Sequence, residues 1–169
     1  MPTFTHNRRT VQKGDDNLSG LFHQGAKIQT FIARFKIYDN EQIPAFREQV
    51  RGVLGESDAG LLYVGFNEAL NNAIAHSQAL NNPVQPILVK LVIIKGKIII
   101  IRIKHQQGGF SGNQLLAAIR TIRGDPFETV VDKESQRGLM LIDAIFDKVC
   151  YSRNGREIMM VKRLREKAG

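Results

Sequence analysis

Three polar side chains interrupt an apolar helical pattern in residues 66–78, FNEALNNAIAHSQ: Glu68, Asn72 and His76 stand at four-residue steps. Residues four apart lie one above another on a helix, so the three share one face. An asparagine oxygen can complete the octahedral shell of a phosphate-bound Mg²⁺, and a glutamate can orient or deprotonate an attacking hydroxyl. The spacing suits metal-assisted phosphoryl transfer, with an inert solvated helix face as the competing interpretation.

The composition indicates one folded domain. The chain has 169 residues, enough for a single hydrophobic core, and its 43% hydrophobic and 24% charged residues are typical of a globular protein. No segment approaches the roughly 20 apolar residues that cross a bilayer, and the N-terminus lacks the apolar stretch of a secretory signal. We therefore expect a cytoplasmic protein that does not enter the membrane. Cys150 is the only cysteine, so an intrachain disulfide is excluded.

The charge is strongly positive. The sequence carries 24 Lys and Arg against 16 Asp and Glu, a formal charge of +8, which favours an acidic partner such as a nucleotide, an acidic protein or a nucleic acid. The basic residues are spread along the chain and become dense only in VKRLREK at 161–167. A solvated basic surface is the favoured interpretation, and nucleic acid is not the expected partner.

Element patterns divide the chain into an arm and a domain. Residues 1–24 are polar and lack periodicity, which predicts a flexible N-terminal arm, and one domain is expected over 25–169. In order, the patterns predict a strand near 27–38, a helix near 40–54, the polar helix, a hairpin around KGK at 95–97, a helix capped by Ser111, a helix from Gly138, and a hairpin with a type I′ turn at Asn154-Gly155. This order predicts an α+β fold, a two-layer sandwich with a mostly antiparallel sheet covered by helices on one face.

The segment NEALNNAIAH at 67–76 is similar to the N-box, SEALTNAIxH, of the GHKL superfamily of ATPases and kinases. The order of polar helix, strand pair, QQGGF, long polar segment and RGLMLI also resembles that superfamily, most closely the bacterial anti-sigma factor serine kinases. The resemblance extends from about Lys27 to Leu164. It implies the histidine-kinase-like ATPase (Bergerat) fold, with ATP and Mg²⁺ as cofactors. It further implies that Glu68 is the general base, Asn72 the Mg²⁺ ligand, and His76 a residue lining the phosphate side.

The first glycine box departs from the family pattern. The family has D-x-G-x-G, whose aspartate accepts a hydrogen bond from the adenine amino group; this chain has His105, Gln106, Gln107, Gly108 and Gly109. A neutral imidazole can accept one bond, but not the charge-assisted bond of a carboxylate, which is roughly twice as strong. The side chain of Gln107 also takes space at a position where glycine lets the backbone approach a ligand. His105 as an ordinary strand-end residue, and the glycines as a simple turn, are the competing interpretations.

The second glycine box matches the family pattern at its first two positions and not at its last. The family has R-G-x-G, and this chain has Arg137, Gly138, Leu139 and Met140. Arg137 is the candidate for charge compensation at the phosphates, and Met140 is expected to pack in the core.

Three functions remain open. The first is an anti-sigma-type serine kinase that binds a sigma factor or an anti-anti-sigma antagonist protein and phosphorylates the antagonist. The second is a catalytically silent pseudokinase of the same fold that acts as a protein-binding switch. The third is a basic nucleic-acid-binding domain. The resemblance also suggests a homodimer.

Overall fold

The computed structural model describes residues 9–11, 30–54, 60–78, 85–106, 108–121 and 134–164. Within these residues the elements are β1 (Arg9–Val11), β2 (Thr30–Ile37), α1 (Gln42–Leu54), α2 (Leu61–Gln78), β3 (Ile87–Ile94), β4 (Ile98–Lys104), α3 (Gly112–Arg120), α4 (Glu134–Ile145), β5 (Lys148–Tyr151) and β6 (Glu157–Arg163). The strands form one sheet in the order β1-β2-β3-β4-β6-β5. Only β1 and β2 pair in parallel, and the other neighbours are antiparallel.

Alternation of burial along the strands creates the core. Successive side chains of a strand point to opposite faces of the sheet, and β3 buries every second residue from Ile87 to Ile93. The same face of β2 and β4 supplies Ala33 and Ile101, which are 2% and 1% exposed. The ring of Phe35 on this face lies 4.9 Å from that of Phe46 in α1. The helices therefore cover one face, and the predicted two-layer α+β sandwich with a mostly antiparallel sheet is confirmed.

Helix α1 begins with a reciprocal pair of hydrogen bonds. The Gln42 N–H donates to Asp39 Oδ1 at 3.0 Å, and the Tyr38 N–H donates to Gln42 Oε1 at 3.0 Å. These bonds satisfy backbone donors that a helix start leaves without partners. The apolar stripe of this helix is buried and includes Ile43, Phe46, Val50 and Val53.

The two hairpins use different turns. At the β3–β4 turn Lys95 and Gly96 have φ of 51° and 65°, as a type I′ turn requires, and the Lys97 N–H donates to Ile94 O at 2.9 Å. The type I′ turn predicted at Asn154-Gly155 is wrong. Among the described residues Lys95 is the only non-glycine with positive φ, so Gly155 alone is left-handed there, at 67°.

Two details of the helix starts differ from the prediction: the capping bond of α3 and the first residue of α4. Ser111 occupies the N-cap position of α3, but its side chain makes no capping bond. Helix α4 begins at Glu134, a turn before the predicted start at Gly138. Apart from the short strand β1, the predicted arm lies outside the described residues. No described helix is long and apolar enough to cross a membrane.

A glycine sets the contact between α2 and α4. A Cβ atom on Gly65 would lie 2.7 Å from Phe146 Cε2 and 3.3 Å from Ile145 Cδ1, shorter than packed carbon atoms tolerate. Gly65 stands three residues before Glu68, on the same side of α2. Its missing side chain therefore lets α4 approach the helix that carries the polar face.

We expect Gly65→Ala to lower the free energy of unfolding by about 1–3 kcal/mol, because the added methyl overpacks the α2–α4 contact. Gly52→Ala is the matched control, since no atom lies within 4 Å of a Cβ there. That change should stabilise helix α1 by about 0.5–1 kcal/mol. Urea unfolding of both variants measures the difference, and equal effects would contradict the assigned role of Gly65.

Candidate functional site

Glu68 and Asn72 lie beside the N-terminal half of α4. Both side chains are partly buried. A Cβ atom on Gly138 would be 3.0 Å from Glu68 Oε2 and 3.9 Å from Asn72 Nδ2. The glycine thus leaves the Glu68 carboxylate in close contact with the α4 backbone. Three predicted site residues from two distant parts of the sequence are brought together.

The functional atoms of this group have no partners within the described part of the chain. Neither the Glu68 carboxylate nor the Asn72 amide makes a hydrogen bond or ion pair with another described residue. Arg137, next to Gly138, is exposed. A carboxylate and an amide oxygen that are partly buried and uncommitted are suitable donors for a hard cation.

Met140 does not enter this site. It is 5% exposed and belongs to the hydrophobic core. The thioether that replaces a family glycine therefore fills core space, as expected from the sequence.

Aromatic rings cluster at the other end of the polar face. The His76 ring stacks on the His105 ring at a centroid distance of 5.7 Å and on the Phe110 ring at 5.1 Å. The Phe110 ring meets the edge of Tyr151 at 4.8 Å. We call His76, His105, Phe110 and Tyr151 the ring cluster. It joins α2, the end of β4, the loop before α3, and β5 into one packed unit.

His105 is buried in this cluster. It is 5% exposed, the only charged or polar residue among those described that falls in the buried class. Its backbone N–H donates to Arg156 O at 3.0 Å, which fixes the end of β4 to the β5–β6 turn. His105 and His76 are thus brought together, but with their rings against each other.

The loop with the predicted glycines Gly108 and Gly109 packs closely against the backbone of the β5–β6 turn. A Cβ on Gly109 would lie 2.1 Å from Asn154 O, and one on Gly155 would lie 1.9 Å from Phe110 O. Arg156 Nε also donates to Gly108 O at 2.8 Å. Gly109 is therefore required where the loop crosses the β5–β6 turn, and the simple structural interpretation of this glycine pair has direct support.

Sequence reasoning missed Phe110, Tyr151 and Asn113. Asn113 exchanges two hydrogen bonds with the Tyr151 backbone, at 2.8 and 2.9 Å, and so attaches α3 to β5. Burial raises the pKa of the Tyr151 phenol. The one sequence signal was an aromatic residue directly after the double glycine.

A separate open cleft of about 580 Å³ lies between α3, α4 and β5 and contains none of the predicted site residues. Two of its acidic residues form ion pairs. Arg120 donates to Asp143 at 2.7 Å, and this bond raises the pKa of the guanidinium. Lys162 donates to Asp147 at 3.2 Å.

The phosphate end fits Mg²⁺ and phosphates. The Asn72 side-chain oxygen is a ligand of the kind Mg²⁺ prefers, and the Gly138 backbone leaves room beside it and beside Glu68. No group of three or more His, Cys, Asp and Glu in the described residues could hold a metal alone.

The base end does not fit adenine in the way the family binds it. His105 stands where the resemblance expects a carboxylate, and its ring is covered by His76 instead of facing an open cavity. The structure therefore divides the candidate nucleotide site into a preserved phosphate end and a rebuilt base end.

The family model of the histidine kinase-like ATPase domain matches residues 38–162. Since this match covers well over half of the chain, the protein belongs to the histidine kinase-like ATPase domain family, a GHKL-type family associated with ATP binding. Comparison with curated proteins finds no match.

We expect the double change His105→Asp with Gln107→Gly to tighten ATP binding by about tenfold, because a carboxylate accepts a charge-assisted bond from the adenine amine. Without nucleotide the variant should lose stability, since a buried carboxylate is left unpaired. His105→Asn with Gln107→Gly is the control that lacks the charge. Calorimetric titration with ATP measures the change, and no gain in affinity would show that the loop backbone, and not these side chains, closes the base end.

Proposed function

We propose that this protein is a nucleotide-dependent regulator of the anti-sigma type, a protein serine kinase that controls a sigma factor or its antagonist. The observation that carries the proposal is the grouping of Glu68, Asn72 and Gly138 at the α2–α4 contact. Membership of the histidine kinase-like ATPase domain family supports it. The proposal includes cytoplasmic action and assembly as a homodimer.

The chain's own residues have distinct roles in this proposal. Mg-ATP supplies the phosphoryl group when bound. The Asn72 side-chain oxygen holds the metal, and Arg137 adds positive charge beside the phosphates. Glu68 orients the substrate serine and accepts its hydroxyl proton at Oε1 or Oε2. The absence of a side chain at Gly138 leaves space for the Glu68 carboxylate beside α4.

A second candidate function, the protein-binding pseudokinase, is favoured by the ring cluster. The burial of His105 and the contact between Gly109 and the β5–β6 turn use for internal packing positions that the resemblance assigns to the base. A domain built in this way would recognise a protein partner without turnover. Nucleotide affinity separates the two candidates.

We expect ATP and ADP to bind with micromolar affinity only when Mg²⁺ is present, because the surviving contacts are at the phosphate end. Asn72→Ala should abolish the magnesium-dependent part of the binding. Asn71→Ala is the matched control, since its oxygen accepts a bond from Arg47 at 2.6 Å on another side of α2. Calorimetry with and without Mg²⁺ makes the measurement. No heat at millimolar nucleotide would reject the kinase and support the pseudokinase.

We expect Glu68→Gln to abolish phosphorylation of a purified anti-anti-sigma antagonist by ATP labelled at its γ-phosphate, because an amide cannot accept the serine proton. ATP affinity and the unfolding midpoint should stay close to those of the parent protein. Glu48→Gln, which removes an exposed carboxylate paired with Arg51 at 3.3 Å, is the control. Unchanged phosphoryl transfer in Glu68→Gln would remove this residue from the mechanism.

A further inference from the structure

The sheet face that points away from the helices carries a cluster of positive charge. In each strand the residues between the buried ones point to this open face. Five of them are lysines or arginines on three neighbouring strands: Arg34, Lys36, Lys90, Arg102 and Lys104. We call these five residues the basic patch. Four are exposed, and Lys90 on the central strand is partly buried.

The strand register places like charges directly opposite one another. Arg34 pairs with Lys90 across β2 and β3, and Lys90 pairs with Arg102 across β3 and β4. Side chains at directly opposite positions are nearest neighbours on a sheet, and like charges there are destabilising. The only described carboxylate that forms an ion pair with the patch is Glu157, which pairs with Arg102. The basic patch therefore carries charge repulsion, although the apolar core lies on the other face of the sheet and does not require these charges.

An apolar row runs beside the basic patch on the same face. Ile32, Val92, Ile100 and Val161 stand opposite one another in register across four strands. All four are partly buried, although no described helix covers this face. A helix about 10 Å wide that lay across the strands would contact both the apolar row and the charged row next to it.

We propose that this face is a docking surface for an acidic amphipathic helix of a partner protein. Apolar residues of such a helix pack on the apolar row, and its carboxylates pair with the basic patch. The charge repulsion within the free sheet is relieved when those carboxylates arrive. The partner's chemistry follows from charge complementarity and from the adjacent apolar row.

Two other occupants fit the face less well. Single-stranded nucleic acid binds with aromatic side chains on which bases stack, and the described strand residues of this face include no aromatic ring. A second copy of the chain would present the same basic patch, whose only ion-paired carboxylate among the described residues is Glu157. Like charges of the two copies would therefore meet. An acidic helix satisfies both the charge and the apolar row.

The docking surface lies on the opposite side of the sheet from Glu68 and Asn72. Partner binding there does not depend on nucleotide. The inference therefore goes beyond the proposed function and is tested independently of it.

The test uses the full chain and a fluorescent synthetic peptide of about 18 residues, with glutamates on one face and leucines on the other at helical spacing. The patch variant is Arg34→Gln with Lys90→Gln. The matched control, Arg51→Gln with Arg153→Gln, removes the same charge from exposed positions off the open face. A scrambled peptide of the same composition and a single-stranded DNA are the competing probes. Fluorescence anisotropy at low and physiological salt measures binding.

We expect the amphipathic peptide to bind the parent protein and the control alike, and the patch variant to bind at least about fivefold more weakly. Because repulsion is removed, the patch variant should unfold in urea at the same or a higher midpoint than the parent. Equal binding by the patch and control variants, or equal binding of the scrambled peptide, would overturn the proposal. So would tighter binding of the DNA, loss of stability in the patch variant, or self-association that the patch variant abolishes.

Discussion

The distance between α2 and α4 is the constraint on which the candidate site depends. Gly65 removes a side chain where α2 meets Phe146, and Gly138 removes one where α4 meets Glu68. One glycine belongs to each helix, so the two backbones approach from both sides. The apolar part of this contact stabilises the fold, and the polar part holds a carboxylate against a helix backbone. Fold stability and site geometry therefore both depend on having glycine at positions 65 and 138.

The two ends of the polar face have different structural roles. Around Glu68 and Asn72 the structure leaves polar atoms without partners in the described chain, which is the condition for binding a cation and phosphates. Around His105 the protein's own groups contact one another. The His105 and His76 rings stack, and the loop at Gly109 packs against the β5–β6 turn. One helix turn separates Asn72 from His76, and over that distance the face changes from a polar side chain without a described partner to stacked rings.

Much of the fold could be predicted because its signals are local. The apolar periodicity of α1, the β-branched runs around Lys95 and the order of elements each reflect short-range chemistry, and the structure agrees with them. The rebuilt base end could not be predicted, because the partners of His105 and Gly109 lie far away in sequence, on α2 and in the β5–β6 turn. The turn at Asn154 shows the same limit, since contact of Gly155 with Phe110, and not dipeptide preference, governs its conformation.

The loop that carries Gly108 is fastened to the β5–β6 hairpin by the Arg156 side chain, by backbone contact at Gly109 and by the ring of Tyr151. A segment held in this way cannot open alone, because its movement must break contacts of the hairpin as well. Loop and hairpin therefore form one cooperative unit of local unfolding. Opening of the loop beside the buried His105 imidazole therefore also involves the edge strand β5.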